Sequence, residues 1–339
     1  MKKLFFIAAI AIFYCMNVNA QQFITRQNGS TVAFYTSLDS AINNAQNGDT
    51  LYLSGGSFAL VNHISKRIHI IGVGHHPDST AATNMTLITG EFFLLSGADA
   101  GSMSGVYLQG GIIFGNQSSN GHISNYTLNR CNINYLSSSS NAATNNLFYE
   151  NVFRSQVNLA NSQSNAFYNN ILPAVSSFGP NTFFENNIFL RLNNNLESYV
   201  NNSTFENNVF LGVSPVFNII WNYYIENNIF NSNLFVENIS FPYGANMGLN
   251  NIVNQPLSSI FVNQTGNEFN YTHDYHLQAS SPGNNAGTDG TDIGIYGGVF
   301  PWKEGSLPNN PHIQFKNISG TTDQNGNLQI NIKVKAQDN

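Results

Sequence analysis

The sequence predicts an all-β solenoid, an elongated stack of coils of about 20 residues each. Three observations predict it: an internal repeat, short β-rich runs, and a composition that disfavours helices. Of the 339 residues 56 are Asn and only 9% are charged. Asn is a poor helix former, and the Lys- and Glu-rich surface of helical bundles is missing. The 26 Phe and 15 Tyr supply too much apolar area for a disordered chain.

Residues 1–20 are expected to be a signal peptide, because Lys2 and Lys3 precede a short apolar run and Ala20 ends a small-residue cleavage site. Ten basic and 18 acidic residues then remain, a net charge of −8 that argues against nucleic acid as a partner. Cys15 lies in the expected signal peptide, so after cleavage Cys131 stands alone and cannot form an internal disulfide. We expect an exported monomer without a membrane span.

The repeat has the form Phe-x-Asn-Asn-Ile/Val-Phe, with short runs of β-forming residues on both sides. The second Asn of each copy marks steps of 19, 17, 21, 20 and 23 residues: Asn151, Asn170, Asn187, Asn208, Asn228 and Asn251. A period near 20 with such short runs is typical of a solenoid whose coils hold two or three strands each. A leucine-rich repeat has a similar period, but its Leu-x-x-Leu-x-Leu-x-x-Asn frame is missing.

Side-chain alternation in a strand predicts which repeat residues face the core. In one copy, Phe205 and Asn207 should point inward and Glu206 outward, while Asn208 takes the left-handed conformation of a bend. The inward amides should hydrogen-bond from coil to coil as a ladder formed by Asn186, Asn207 and Asn227. The acids between them should form an outward column of Glu185, Glu206 and Glu226.

The two ends of the repeat region extend this pattern. Residues 37–46 form an amphipathic helix followed by Asn47-Gly-Asp-Thr50, and with the repeat they resemble the right-handed parallel β-helix of the pectin-lyase-like superfamily. The resemblance implies an N-terminal cap at 21–50, where the helix plugs the core, and a parallel β-helix at 51–300. Residues 274–298 resemble the last coils of β-helix proteins exported by Bacteroidota-type bacteria. This resemblance implies a protein that is secreted, periplasmic or at the cell surface of a Gram-negative bacterium.

Residues 301–339 differ from the repeat region. Three prolines make the beginning of this segment linker-like, and two alternating runs then flank Asp323-Gln-Asn-Gly326. Such a pattern predicts a β-hairpin. We expect it to cover the open C-terminal edge of the solenoid.

The resemblance implies two kinds of enzyme: lyases that use Lys or Arg, often with Ca²⁺, and hydrolases that use paired carboxylates, commonly Asp. No Asp lies between Asp99 and Asp274, and no Lys between Lys66 and Lys303, so an Asp dyad in the middle coils is excluded. The remaining catalytic candidates are Arg154, Arg191 and Glu197. With steps of 17 to 23 residues between equivalent Asn residues, the coils have no room for long loops that could form the walls of a deep pocket.

Binding candidates are equally few. Aromatic rings that could stack on a sugar directly precede one repeat copy: Trp221, Tyr223 and Tyr224. The adjacent His75 and His76 cannot readily point at one ion, so no metal is expected, and Thr288–Asp292 gives only a weak Ca²⁺ signal. No other cofactor is indicated.

These features favour a non-catalytic exported β-helix protein that binds glycans or cell-surface partners. The alternative is a polysaccharide lyase or glycoside hydrolase that acts in a shallow groove on the β-helix. An ice-binding solenoid would need a regular flat Thr face, which the repeats do not show.

Overall fold

The computed structural model describes residues 22–336, except residues 62, 116–121, 139–142, 192–195, 197–198 and 214–224. The fold is a parallel β-helix, as the sequence predicts: three long sheets run along its axis, and each of the middle coils contributes one short strand to each sheet. Apart from the first antiparallel strands, neighbours in these sheets pair in parallel, because each strand meets its counterpart in the next coil.

Sheet A has twelve strands, in the order β2-β1-β3-β5-β8-β12-β16-β19-β22-β25-β28-β30. Their bounds are Ile24–Asn28 (β1), Thr31–Tyr35 (β2), Thr50–Leu53 (β3), His69–Ile71 (β5), Ser102–Ser104 (β8), Thr127–Asn129 (β12), Leu147–Tyr149 (β16), Ala166–Tyr168 (β19), Phe183–Glu185 (β22), Thr204–Glu206 (β25), Ile229–Asn231 (β28) and Met247–Leu249 (β30).

Sheet B has nine strands: Gly56–Ala59 (β4), Thr86–Thr89 (β6), Tyr107–Leu108 (β9), Asn132–Ile133 (β13), Val152–Phe153 (β17), Ile171–Leu172 (β20), Ile188–Phe189 (β23), Val209–Phe210 (β26) and Leu234–Phe235 (β29). Sheet C has seven: Phe92–Leu94 (β7), Ile112–Phe114 (β10), Leu136–Ser138 (β14), Gln156–Ser162 (β18), Ala174–Phe178 (β21), Val200–Asn201 (β24) and Ile225–Glu226 (β27).

Three two-stranded pairs complete the described strands: Ile123–Ser124 (β11) with Ala143–Thr144 (β15), Phe261–Asn263 (β31) with Asp274–Leu277 (β32), and His312–Thr322 (β33) with Leu328–Lys335 (β34). A 3₁₀ turn spans Leu257–Ser259. The predicted amphipathic helix is Leu38–Asn44 (α1), with Ser37 accepting the backbone N–H of Ser40 at its N-terminus. Lys66 donates to three carbonyls at its C-terminal end, a favourable place for a cation.

Stacked phenylalanines fill the core, as the alternation predicts. In sheet A, the ring centroids of Phe148 and Phe167 lie 4.5 Å apart, and the stack continues through Phe184, Phe205 and Phe230. All five side chains are fully buried. A second stack from sheet B, formed by Phe189, Phe210 and Phe235, has spacings of 4.5 and 4.7 Å.

The Asn ladder exists, but the prediction chose the wrong Asn of each pair. The left-handed residues are Asn186, Asn207 and Asn227, with φ of 56°, 54° and 57°. The left-handed turn redirects the chain, so the next Asn points into the stack and forms the ladder: Asn151, Asn170, Asn187, Asn208, Asn233 and Asn251. Asn227 is exposed, whereas the buried amides of Asn186 and Asn207 bond to a later segment of the chain.

The alignment of the fifth repeat copy was also wrong. Phe205 pairs with Phe230 and Phe210 with Phe235, so the true step is 25 residues, from Asn208 to Asn233. Asn228 belongs to a second ladder at another corner, where it bonds to Asn246. Glu226 consequently lies in sheet C beside Asn201, and only Glu185 and Glu206 of the predicted acidic column are neighbours.

The connection from β26 to β27 spans residues 211–224, and that from β23 to β24 spans residues 190–199. Both connections lie largely outside the described residues, so the expectation that the coils have no long loops stays a prediction. Glu197, Trp221, Tyr223 and Tyr224 fall in these two connections and lie outside the described residues.

Candidate functional site

The outer face of sheet B is covered over much of its length. Its outward residues form a second hydrophobic cluster with residues 257–302, distinct from the phenylalanine core: Val152, Ile171, Ile188, Val209 and Leu234 pack with Ile260, Phe261, Tyr275, Ile293 and Ile295. We call residues 257–309 the C-terminal cover. Because the cover buries these coils, their outer face offers no groove for a ligand.

A signal for this cover was present in the sequence. Pairs such as Val152-Phe153, Ile188-Phe189 and Val209-Phe210 are apolar at both positions. In a strand one member of each pair must face away from the core, so a column of outward apolar residues requires a second layer. The identity of that layer could not be predicted, because it lies far away in the sequence.

The left-handed corner residues bind the cover. The side-chain amide of Asn186 donates to the carbonyls of Asp292 and Gly294 at 3.0 and 2.9 Å, and that of Asn169 to the carbonyls of Ile295 and Gly297. Asn207 exchanges two hydrogen bonds with Thr288. The cover therefore runs back along this corner towards the N-terminal coils.

In the two coils that precede Asn169 in the sequence, charged residues occupy the same left-handed corner position. Arg130 and Glu150 are both left-handed, with φ of 51° and 54°, and form a buried bidentate ion pair with N···O distances of 3.0 and 3.1 Å. Arg130 also donates to the Leu307 carbonyl at 2.9 Å, and Glu150 accepts the backbone N–H of Lys303. Burial raises the pKa of Glu150, although Arg130 opposes that shift.

Arg154, one of the three catalytic candidates, is held by neighbouring coils. Its guanidinium donates to the Tyr107 hydroxyl at 2.6 Å and the Leu108 carbonyl at 2.7 Å, and lies 4.5 Å from the centroid of the Tyr107 ring. Tyr107 lies two strands towards the N-terminus, so Arg154 reaches away from the coil that carries Arg191. Arg191 is half-buried just after β23, and its backbone N–H bonds to the Pro173 carbonyl.

His75 contacts the C-terminal cover. It is fully buried, and its Nδ1 lies 2.9 Å from the hydroxyl of Tyr271 in the cover, which also accepts the Asn132 amide. Burial lowers the pKa of His75 to about 3, so the ring is neutral. His76 packs edge-on against the same tyrosine.

The outer face of sheet A remains open beside the cover. Three half-buried aromatic rings of its middle strands and one ring of the cover form a row, which we call the aromatic strip: Tyr149, Tyr168, Phe183 and Phe300. Phe300 stacks on Tyr149 at 4.5 Å and lies 5.3 Å from Tyr168, whose ring lies 5.8 Å from that of Phe183. Sequence reasoning missed this strip, because Phe300 comes from a distant segment.

Two carboxylates lie beside the aromatic strip, on the two strands of sheet A that follow β19. Glu185 and Glu206 occupy paired positions on β22 and β25, strands that lie about 4.8 Å apart. Thr288 of the cover donates its hydroxyl to Glu206. Burial, followed by repulsion from Glu206 and Asp289, raises the pKa of Glu185 to about 7.

The raised pKa of Glu185 predicts a pH-dependent stability. The folded state binds the proton of Glu185 more tightly than the unfolded state does. The stabilisation of the fold by this proton is therefore present near pH 4 and is lost as pH rises towards 7. Glu185→Gln should therefore raise the melting temperature at pH 8 and leave it unchanged at pH 4. Glu226→Gln, in sheet C, is the matched control. Equal effects of Glu185→Gln at both pH values would contradict this assignment.

The same face has a cleft at its N-terminal end. The cleft encloses about 610 Å³ between the first coils and the start of the hairpin, and its lining includes Phe23, Tyr52, Ile71, Pro308, Pro311 and Lys316. This volume is within the range of small-ligand sites. Tyr52 and Glu185 are six strands apart in sheet A, so the cleft and the strip span about 29 Å of one face.

The described residues contain no group of three His, Cys, Asp or Glu side chains arranged to hold a metal ion. The carboxylate of Asp292 instead accepts the backbone N–H of Asn285 and fixes a turn of the cover. Cys131 is buried in the core. Within the described part of the chain, no helix has the length and apolar character to cross a membrane.

No protein-family model matches the chain, and the search of curated proteins finds no match either. The resemblance to the pectin-lyase-like superfamily and to exported Bacteroidota-type proteins therefore stays a prediction from the sequence.

Proposed function

We propose that this protein is an exported, non-catalytic member of the pectin-lyase-like superfamily that binds a glycan along the outer face of sheet A. The observation that carries the proposal is the aromatic strip, which is continued by Glu185 on the face that the cover leaves open. Aromatic rings offer flat apolar surfaces to the C–H faces of sugars, and carboxylates accept hydrogen bonds from hydroxyl groups.

The dimensions of this face favour an extended ligand. The cleft and the strip lie along one line parallel to the helix axis, and the cover forms the wall on one side of both. A linear chain of sugars could contact Tyr52 and Tyr168 at the same time. A small compact ligand would use only the cleft.

A binding experiment tests the proposal. Immobilised neutral, basic and acidic polysaccharides are screened, and the Kd of the best ligand is measured by calorimetry. Tyr168→Ala should weaken binding about tenfold, or 1.4 kcal/mol, because it removes a stacking surface. Tyr199→Ala is the control, since Tyr199 is 51% exposed next to β24 in sheet C and lies outside the strip. Unchanged affinity in Tyr168→Ala, or equal losses in both variants, would contradict the proposal.

Glycoside hydrolysis is the second candidate, and one observation favours it. Glu185 and Glu206 are adjacent carboxylates, and the pKa of Glu185 is raised to about 7, which suits a general acid beside an ionised partner. Release of reducing ends by the wild type and its loss in Glu185→Gln would establish this activity. Binding without any release of reducing ends supports the non-catalytic proposal.

A further inference from the structure

The C-terminal hairpin is the most exposed element of the described chain. β33 and β34 pair only with each other among the described strands. Cross-strand partners share a face, so Ile313 and Val334, and likewise Ile318 and Ile330, lie on the same side. This side is apolar but open to solvent, with exposed fractions of 46% to 63% for Ile318, Leu328, Ile330, Ile332 and Val334.

The hairpin does not cover the C-terminal edge of the solenoid, contrary to the expectation from the sequence. Because the cover runs back along the corner, the hairpin begins beside the first coils, where Lys316 and Ile313 line the cleft with Tyr52. A covering layer for its apolar side is absent from the described residues. Exposed two-stranded ribbons with an apolar face are prone to pair with another chain.

The opposite end of sheet A has a matching exposed surface. β30 is the last strand of the sheet and has a partner on one side only among the described strands. Its outward residues Met247 and Leu249 are 59% and 64% exposed, and Ile229 beside them is 46% exposed. The edge that the hairpin was expected to cover is therefore open.

The charges of the two surfaces are complementary. The hairpin contains three lysines and one aspartate, whereas residues 21–311 contain seven basic and 16 acidic residues. Lys316 lies on the apolar side of the hairpin, opposite Ile332. Glu206 lies on the same outer face as Ile229 and Leu249.

We propose that the hairpin of one molecule packs on β30 and the last coils of a second molecule of the same protein. The two surfaces lie at opposite ends of the β-helix, so the contact joins molecules head to tail. A contact between two different surfaces of identical molecules joins them into open chains, unless the rotation between neighbouring molecules closes a ring. This inference replaces the monomer expected from the sequence and does not depend on glycan binding.

Two single variants and their mixture test this arrangement. Ile330→Asp places a charge on the hairpin, and Leu249→Asp places one on β30; both sites are more than half exposed, so the fold should tolerate the changes. Molar mass is measured by light scattering up to about 100 µM, where micromolar contacts are populated. Circular dichroism and the melting temperature verify that each variant is folded.

The wild type should form species larger than a dimer, and each variant alone should be a monomer. A one-to-one mixture should form dimers and nothing larger, because each molecule in it keeps one intact end. Lys316→Glu should weaken the assembly and reduce its sensitivity to salt. A monomeric wild type, a mixture that stays monomeric, or a variant that still forms dimers by itself would overturn the proposal.

Discussion

Replacing Asn208 by alanine is expected to lower the free energy of unfolding by about 3–5 kcal/mol. Its Oδ1 accepts the backbone and side-chain N–H groups of Asn187 at 2.8 and 2.9 Å, and its amide donates to the Phe184 carbonyl at 2.8 Å and to Asn233. The substitution leaves several buried groups without partners, and each unsatisfied group costs about 1–3 kcal/mol. Urea unfolding followed by circular dichroism measures the loss.

Asn227→Gly is the matched control for the ladder. Asn227 is exposed and left-handed, with φ of 57°, and glycine adopts that conformation without steric cost. We expect its unfolding free energy to stay within about 0.5 kcal/mol of the wild type. A larger loss in Asn227→Gly than in Asn208→Ala would show that the first Asn of the pair supports the stack.

Replacing Arg130 by methionine is expected to cost about 3–5 kcal/mol, because it leaves the buried carboxylate of Glu150 without its counter-ion. Part of this cost should disappear at low pH. Burial raises the pKa of Glu150, and the loss of Arg130 removes the interaction that opposes that shift, so protonation relieves the variant as pH falls. Urea unfolding at pH 8 and pH 5 measures both effects.

A double variant separates the ion pair from the packing of its side chains. Arg130→Met with Glu150→Gln removes both charges and should be more stable than Arg130→Met alone at pH 8. Because Arg130 and Glu150 also hold the cover through Leu307 and Lys303, both variants should release it to proteolysis more readily. A double variant less stable than Arg130→Met would contradict the assignment of the loss to an unpaired buried charge.

The repeat carried enough information to predict the fold and its core. Phe205 and its equivalents alternate with polar residues, and a period near 20 aligns them from coil to coil, so their burial followed from geometry. The ladder was harder to assign. Both residues of Asn207-Asn208 tolerate the left-handed conformation, and the pattern alone does not show which of them takes it.

The candidate site depends on contacts that a local pattern cannot show. Phe300 meets Tyr149 across more than one hundred residues, and the cover binds left-handed corners such as Asn186 through its own carbonyl groups. Arg154 is a catalytic candidate because bases are few in the middle coils, and its hydrogen bond to the Tyr107 hydroxyl could not be predicted from the repeat.

Hydroxyl-radical footprinting with and without the bound glycan tests the proposed binding face most directly. The account predicts that the glycan protects Tyr149, Tyr168, Phe183 and Phe300 from oxidation while Tyr199, which is 51% exposed next to β24 of sheet C, stays reactive. Protection that spares the aromatic strip and falls on another surface would contradict it.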